Sequence, residues 1–316
     1  MGEFKLKRIN GPILHPISHH PWESQAVFNP GTVCQGDIIH MLYRAVEGEN
    51  FSSIGHAKLN SEGKVISRYD KPVIKRELGI EKHGCEDPRI VHFSDKYYIF
   101  YTSYDGKNTA KGENARVILA ETSDFTSYHK IGMVGPDMQD KDAMIFPEKI
   151  GSRIAYLHRI LPNIQLAFFD CMEHLINPEQ GYWQHHLQNL KNYTVMFPQL
   201  SWEEMKIGAG PPPCRTDAGW LLIYHGVDKK SIYRAGAALL DYNNPYKVIA
   251  RLPYPILEPQ RKYECVGDVE NVVFPEGLVL LGDKLQIYYG AADKVVALAE
   301  GSLSRLLDEL WKHKVD

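Results

Sequence analysis

One short pattern returns five times along this chain, and that recurrence limits the possible folds more than any single motif does. Each unit opens with a polar residue beside Pro or Gly, enters an apolar strand and turns at Gly or Asp. A second strand ends on an aromatic and a polar residue, and a third follows after a loop. The first unit is Phe28-Asn29-Pro30-Gly31, then Ile39 to Arg44, then Ile54 to Ala57. The second holds Glu86-Asp87-Pro88-Arg89, Tyr98 to Thr102, and Arg116 to Ala120. The third holds Lys141 to Pro147, Ile154 to Arg159, and Ile164 to Ala167. The fourth runs through Lys206 to Pro211, Trp220 to His225, and Arg234 to Leu239. The fifth runs through Glu270 to Pro275, Leu285 to Gly290, and Val295 to Ala299.

The period is roughly sixty residues, longer than the about 40–50 of common propeller repeats. Short strands separated by turn signals, with no sustained helical period, predict one all-β domain over residues 1–316, a five-bladed β-propeller. The rival is a β-sandwich with coincidental spacing, and five recurrences weigh against it. Inner strands of a propeller converge on its axis. The unit openings then bring Asn29, Asp87, Asp142, Lys206 and Asn271 to one mouth, where the second strands deliver Arg44, Arg159 and His225. Past the last strand, Leu303, Leu306, Leu307, Leu310 and Trp311 predict a short C-terminal amphipathic helix that closes the ring or packs on a neighbouring subunit. Met172 to Tyr193 reads as a surface insertion. Its His185-His186 pair is not expected to hold a metal, because adjacent positions point apart and no third ligand is evident.

Charge and cysteine content narrow the function. Lys plus Arg number 36 against 39 Asp plus Glu, which leaves no basic surplus for a phosphate backbone and argues against a nucleic-acid partner. No apolar run is long enough for a bilayer, and Met1 to Lys7 lacks the apolar core of a secretory signal. The five cysteines are scattered and never spaced C-x-x-C, which predicts reduced thiols in a cytoplasmic protein and no zinc site.

The chemistry centres on Asp87. Pro88 fixes the backbone after it, and Arg89 stands two residues on. Alone, this stretch is a turn with a surface ion pair. The repeat changes its weight, because Lys141, Arg159, Lys206 and His225 arrive from two other units, with Asp142 and Asp293 in the same pattern. Several cations beside one acid suit a dianion such as inorganic phosphate. Basic residues at strand ends are more often solvated rim charges, and the residues alone leave both readings open. No G-x-x-x-x-G-K-[ST] loop is present, so a nucleotide phosphate is not indicated.

The segments Glu86-Asp87-Pro88-Arg89, Phe146-Pro147-Glu148-Lys149-Ile150, Lys206-Ile207-Gly208-Ala209-Gly210-Pro211, Gly219 to Val227, Gly236 to Asp241 and Tyr288 to Asp293 resemble, in order, family 130 of the glycoside hydrolases, the β-mannoside phosphorylases. The resemblance implies a five-bladed propeller. It implies that Asp87 is the catalytic acid, acting through the 3-hydroxyl of the mannosyl unit. Lys141, Arg159, Lys206 and His225 match phosphate-binding positions, with Lys141 where many members carry Arg. Asn29, Arg44 and Asp293 match residues that hold the mannosyl unit, and Arg89 and Asp142 are grouped with these as substrate-binding. Asp142 stands where some members have Asn, and Glu86 where the β-1,4 branch tends to have Tyr. These departures bear on linkage and acceptor, and the neighbourhood of Glu86 and Asp142 leans toward β-1,2.

The reaction this implies is inverting phosphorolysis of a β-mannoside to α-mannose 1-phosphate and a shortened acceptor, with inorganic phosphate as co-substrate and no cofactor. An inverting cleavage needs an acid at the leaving oxygen and a nucleophile on the opposite face; phosphate is already an anion and needs no base. Three alternatives stand beside it: a β-mannoside hydrolase in the same pocket, a non-catalytic carbohydrate-binding propeller, and a scaffold that uses its rim. Homo-oligomerisation is compatible with all four.

Overall fold

A computed structural model describes residues 2–109 and 112–315. The five sequence units become five antiparallel groups of strands. After a short N-terminal strand β1 (Lys7–Arg8), the first group is β2 (Ala26–Gln35), β3 (Ile38–Glu47), β4 (Phe51–Leu59) and β5 (Val65–Arg68). The second is β6 (Gly84–Phe93), β7 (Lys96–Thr109), β8 (Gly112–Thr122) and β9 (His129–Val134). The third is β10 (Lys141–Ile145), β11 (Ile154–Arg159), β12 (Ile164–Phe169) and β13 (Thr194–Met196). The fourth is β14 (Lys206–Ala209), β15 (Cys214–Thr216), β16 (Gly219–Val227), β17 (Tyr233–Leu240) and β18 (Val248–Arg251). The fifth is β19 (Val273–Leu281), β20 (Lys284–Ala291) and β21 (Val295–Ser302). Its outer strand is β1, through Lys7↔Glu300 and Arg8↔Ala299. A Ser52↔Gly84 pairing joins the first two groups into one sheet.

The second strand of each group is covered on both faces, and so reads as an unbroken apolar run instead of an alternating one. Every residue of β16, Gly-Trp-Leu-Leu-Ile-Tyr-His-Gly-Val, is buried. Trp220 meets Phe146 of the third group edge-on at 5.0 Å, and its indole N–H donates to the Tyr242 carbonyl at 3.1 Å. Truncating a tryptophan so placed to alanine costs about 3–5 kcal/mol.

The apolar clusters lie between groups. Leu42 and Ile54 pack with Ile90, Ile99 and Ile118, first group on second. Phe100, Leu157 and Leu222 share a cluster that spans the second, third and fourth. Ile223 and Leu239 pack with Ile287 and Ala297, fourth on fifth. Val279, Val296 and Leu298 pack with Val27, Ile39 and Met41, fifth on first.

A C-terminal helix α3 (Leu303–Trp311) forms as the spacing predicts, with the Ser302 hydroxyl accepting from the Arg305 N–H as its N-cap. It buries Leu306 and Leu310 in the cluster shared by the fourth and fifth groups. The residues after it continue onto the fourth group, where Lys314 bridges Ala250. The insertion 172–193 is not merely a surface excursion. It folds into α1 (Met172–Ile176), α2 (Tyr182–Gln188) and a 3-10 turn, and buries Leu175 and His186 against the third group.

Candidate active site

Three groups make the same local error in strand pairing, and each error aims a polar side chain inward. The register slips between Phe28 and Pro30, between Glu86 and Arg89, and between Lys141 and Met144. The residues inside those bulges, Asn29, Asp87 and Asp142, take left-handed backbone conformations with φ of 47°, 53° and 53°. That region costs most L-residues about 1–2 kcal/mol, and Asn and Asp tolerate it best. In the fifth group the bulge holds Glu276, between Pro275 and Gly277, and not Asn271, which the sequence pattern had placed at the mouth. The signal differs there: in Pro275-Glu276-Gly277 the proline precedes the bulged residue, where in Asn29-Pro30 and Asp87-Pro88 it follows.

Arg89 ties these bulges together. It is 1% exposed and reaches four groups at once. Its guanidinium donates to the carbonyls of Asp87 (3.2 Å), Ala209 (3.1 Å) and Gly210 (3.0 Å) and pairs with Asp142 (3.0 Å) and Glu276 (2.9 Å). The sequence reading grouped Arg89 with the substrate-binding residues. The structure places it beneath the cavity and not in its lining, buried and paired with Asp142 and Glu276. Burial pushes the Glu276 carboxyl well above its ordinary range, against the pull of Arg89 and with Asp87 and Asp142 adding to the rise.

Above this hub lies a cavity of about 380 Å³. One side is acidic. Asp87 accepts from the Asn29 amide at 2.9 Å and stands 3.5 Å from Arg44, whose guanidinium also binds Glu86 (2.8 Å) and the Ser52 hydroxyl (3.0 Å) over the Phe28 ring. Asn29 needs the bare backbone of Gly290 beneath it, since a Cβ there would sit 2.1 Å from its Oδ1. Asp293 completes this side. Burial raises its carboxyl to about 7; Arg44 opposes the rise, and Asp87 and Glu86 add to it.

The other side is basic. Lys141, Arg159 and Lys206 all line the cavity. Lys206 Nζ lies 5.3 Å from the centre of the Tyr233 ring. Asp142 pairs with Arg159 at 2.9 Å. Burial opposes its charge, yet Arg159 and Arg89 together hold its carboxyl well below the usual range. His225 is fully buried and does not line the cavity; its Nε2 meets Arg159 at 3.2 Å and lies 3.7 Å from Asp142. Burial keeps its imidazole well below the ordinary value, with Asp142 opposing and Arg159 reinforcing, so it enters as a neutral group and not as a fourth cation. Gly208 lets Asp142 and His225 approach, because a Cβ would come within 2.2 Å of one and 2.5 Å of the other.

Of the residues singled out from sequence, Asn29, Arg44, Glu86, Asp87 and Asp293 thus line one side of the cavity and Lys141, Asp142, Arg159 and Lys206 the other, while Arg89, His225 and Asn271 are not in its lining. The rim adds residues the sequence reading missed, among them Tyr104, Gln139, Tyr233 and Val269. No repeat signal marks them, since they come from loops and strand ends outside the recurring pattern.

An all-β chain with a polar cavity set between a clamped carboxylate and convergent cations has the architecture of a glycoside-processing enzyme. It belongs to glycoside hydrolase family 130: the family model, described as β-1,4-mannooligosaccharide phosphorylase, matches residues 5–312. The chain is 38% identical to a 1,2-β-oligomannan phosphorylase of Thermoanaerobacter sp. (strain X514), covering 93% of this chain and 96% of that protein. It is 39% identical to a β-1,2-mannobiose phosphorylase of the same organism, covering 94% and 97%. It shares the fold of the β-1,2-mannobiose phosphorylase of Listeria innocua, solved with β-1,2-mannobiose, at a TM-score of 0.82 and 23% identity over 98% of this chain and 99% of that one.

Proposed function

We propose that this enzyme cleaves β-mannosides by inverting phosphorolysis, releasing α-mannose 1-phosphate and a shortened acceptor, with β-1,2 linkages its substrates. The observation that carries the reading is the division of the cavity: one clamped acid, Asp87, with three cations from two other groups lining the opposite side. In this mechanism Asp87 supplies the proton to the leaving oxygen by way of the 3-hydroxyl of the mannosyl unit, which Asn29, Arg44 and Asp293 hold. Lys141, Arg159 and Lys206 bind phosphate and offset its charge as the new bond forms, and His225 orients Arg159 from behind. Phosphate brings its own negative charge, so the site needs no second carboxylate as base. The β-1,2 preference draws support from both Thermoanaerobacter relatives; β-1,4 is the alternative that the family description favours.

The five groups are read as the blades of a five-bladed propeller forming one domain. Support comes from the fifth group packing back on the first, from β1 completing the last group, and from Arg89 reaching four groups from the centre. The test of function is direct. The protein is incubated with β-1,2-mannobiose with and without inorganic phosphate. Mannose 1-phosphate formed only with phosphate is expected; free mannose released at the same rate in both would make it a hydrolase, and no product a binding protein. β-1,4-mannobiose in parallel reads the linkage.

A further inference from the structure

Four of the five groups carry the same buried clamp. A tyrosine within the second strand donates its hydroxyl to a fully buried glutamate: Tyr43 to Glu23 (2.9 Å), Tyr101 to Glu81 (2.5 Å), Tyr224 to Glu203 (2.9 Å) and Tyr289 to Glu264 (2.8 Å). Each glutamate also pairs with a cation, respectively Arg68, Lys130, Arg251 and Arg8. In the third group the tyrosine's place, directly before Arg159, is taken by His158. Among the described residues its side-chain partners are an aspartate and a histidine, not a glutamate. Its Nδ1 lies 3.1 Å from Asp140 Oδ2, and its Nε2 lies 3.1 Å from Nε2 of His186 in α2.

We propose that Asp140, His158 and His186 form a positioning relay for the two cations of the third group, Lys141 and Arg159, and that the insertion 172–193 exists to complete it. Asp140 precedes Lys141, and its other oxygen accepts the backbone N–H of Arg159 at 3.1 Å. Lys141 and Arg159 are register partners on adjacent strands. One carboxylate therefore fixes both strand ends from which these cations enter the cavity. His158 holds that carboxylate by donating from Nδ1, which leaves its Nε2 as an acceptor for the N–H of His186 Nε2. The remaining nitrogen of His186, Nδ1, is a buried acceptor with no hydrogen-bond partner among the described residues, which suits a neutral ring in this tautomer. Burial, with His158 beside it, supports that neutrality by lowering the His186 imidazole to about 3. The ring is gripped by Tyr193, stacked at 4.2 Å, and by Trp183 edge-on at 5.3 Å, both from the insertion. All three relay groups are shut away from solvent, so they act on the ligand only through the placement of Lys141 and Arg159.

This inference rests on the phosphate reading of the basic side, and its test separates the two. His186→Leu removes the donor while filling the space; His186→Gln restores an N–H at the position of Nε2. Steady-state kinetics on β-1,2-mannobiose read KM for phosphate and for mannobiose separately, with the melting temperature recorded for each variant. The expected result for His186→Leu is a phosphate KM raised about tenfold, below the roughly 100-fold that a 1 Å misplacement can cause, with the mannobiose KM within about twofold. His186→Gln is expected to return close to the parent enzyme. Equal rises in both constants, no change in either, or no rescue by glutamine would overturn the relay. Lys141→Ala serves as the reference: a raised phosphate KM there with a silent His186→Leu sinks the relay alone, and a phosphate KM unmoved by Lys141→Ala sinks the phosphate site. If His186→Leu does not fold, Asp140→Asn, which keeps the side-chain shape, takes its place with the same expected split.

Discussion

The two sides of the cavity solve opposite electrostatic problems with the same device, a single group of contrary charge. On the side built by the first, second and fifth groups, three carboxylates, Glu86, Asp87 and Asp293, surround one guanidinium, Arg44. On the side built by the third and fourth groups, Lys141, Arg159 and Lys206 line the cavity with one carboxylate, Asp142, which Arg159 pairs and Lys141 approaches. Arg89 links the two from below through Asp142 and Glu276. The minority charge keeps each cluster foldable without a ligand, and the surplus sets what each can bind: hydroxyls and a proton on one side, an anion on the other. Sheet geometry alone does not produce this division, because the same bulge supplies Asn29, Asp87 and Asp142. The residue placed in it decides the character of the wall.

The largest effect that tests this division falls on the acid side. Asp87→Asn keeps an oxygen to accept the Asn29 amide, so the bulge and the fold are retained. It has no acidic proton to deliver, and turnover of β-1,2-mannobiose should fall by about 10²–10⁴, the range of general-acid contributions. Loss of kcat at an unchanged melting temperature is the expected outcome; activity near the parent level would show that the two sides do not divide the chemistry this way.

Opposite pH dependence is the next way to separate the sides. Asp293 binds its proton more tightly in the folded chain than in the unfolded one, so its stabilising contribution is complete below the ordinary carboxylate range and is lost as pH rises through about 7. Asp142 runs the other way. Its folded carboxyl is depressed, so its contribution is present above the ordinary Asp range and disappears on acidification. His225, neutral when folded, adds to that acid loss as the unfolded imidazole takes up its proton. Removing the Asp293 contribution, Asp293→Asn should therefore make the slope of stability against pH between about 4 and 7 more positive, by up to about 1.4 kcal/mol per pH unit, and leave the opposing contributions of Asp142 and His225 in place. Urea unfolding of both proteins from pH 4 to 8 reads this; parallel curves would mean Asp293 titrates normally.

How far these features could be read from sequence follows from where each signal is local. Strands, their grouping and the C-terminal helix are written in short apolar runs and turn residues, and the structure places them where the pattern does. Six of the cavity-lining residues, Asn29, Arg44, Asp87, Asp142, Arg159 and Lys206, were found because a repeat carries equivalent positions to one end of each group. Arg89 and Glu276 show the limit. Nothing adjacent to Arg89 indicates that Ala209 and Gly210, over a hundred residues on, will present carbonyls to it. That contact exists only once the groups face one another. His186 is a sharper case, since a histidine pair in a polar helix gives no sign that one ring turns inward to meet His158 while its neighbour stays exposed.

Lys206 offers the finest probe of the basic side, because an aromatic face accompanies it. Its ammonium lies 5.3 Å from the centre of the Tyr233 ring, within cation–π range, and Tyr233 shares the rim. Such a contact at a partly exposed site is worth about 0.5–1 kcal/mol, which corresponds to roughly a two- to fivefold change in binding. Tyr233→Leu should raise the phosphate KM by that factor, since the ring no longer restrains the lysine, and should leave kcat at saturating phosphate nearly unchanged. Tyr233→Phe keeps the face and removes only the hydroxyl, so its phosphate KM should match the parent. If leucine and phenylalanine behave alike, the hydroxyl or nothing at all is what matters, and Lys206 is held by the strand that bears it. If leucine alone weakens phosphate, the basic side combines two means of fixing its cations: a buried carboxylate for Arg159 and an aromatic face for Lys206.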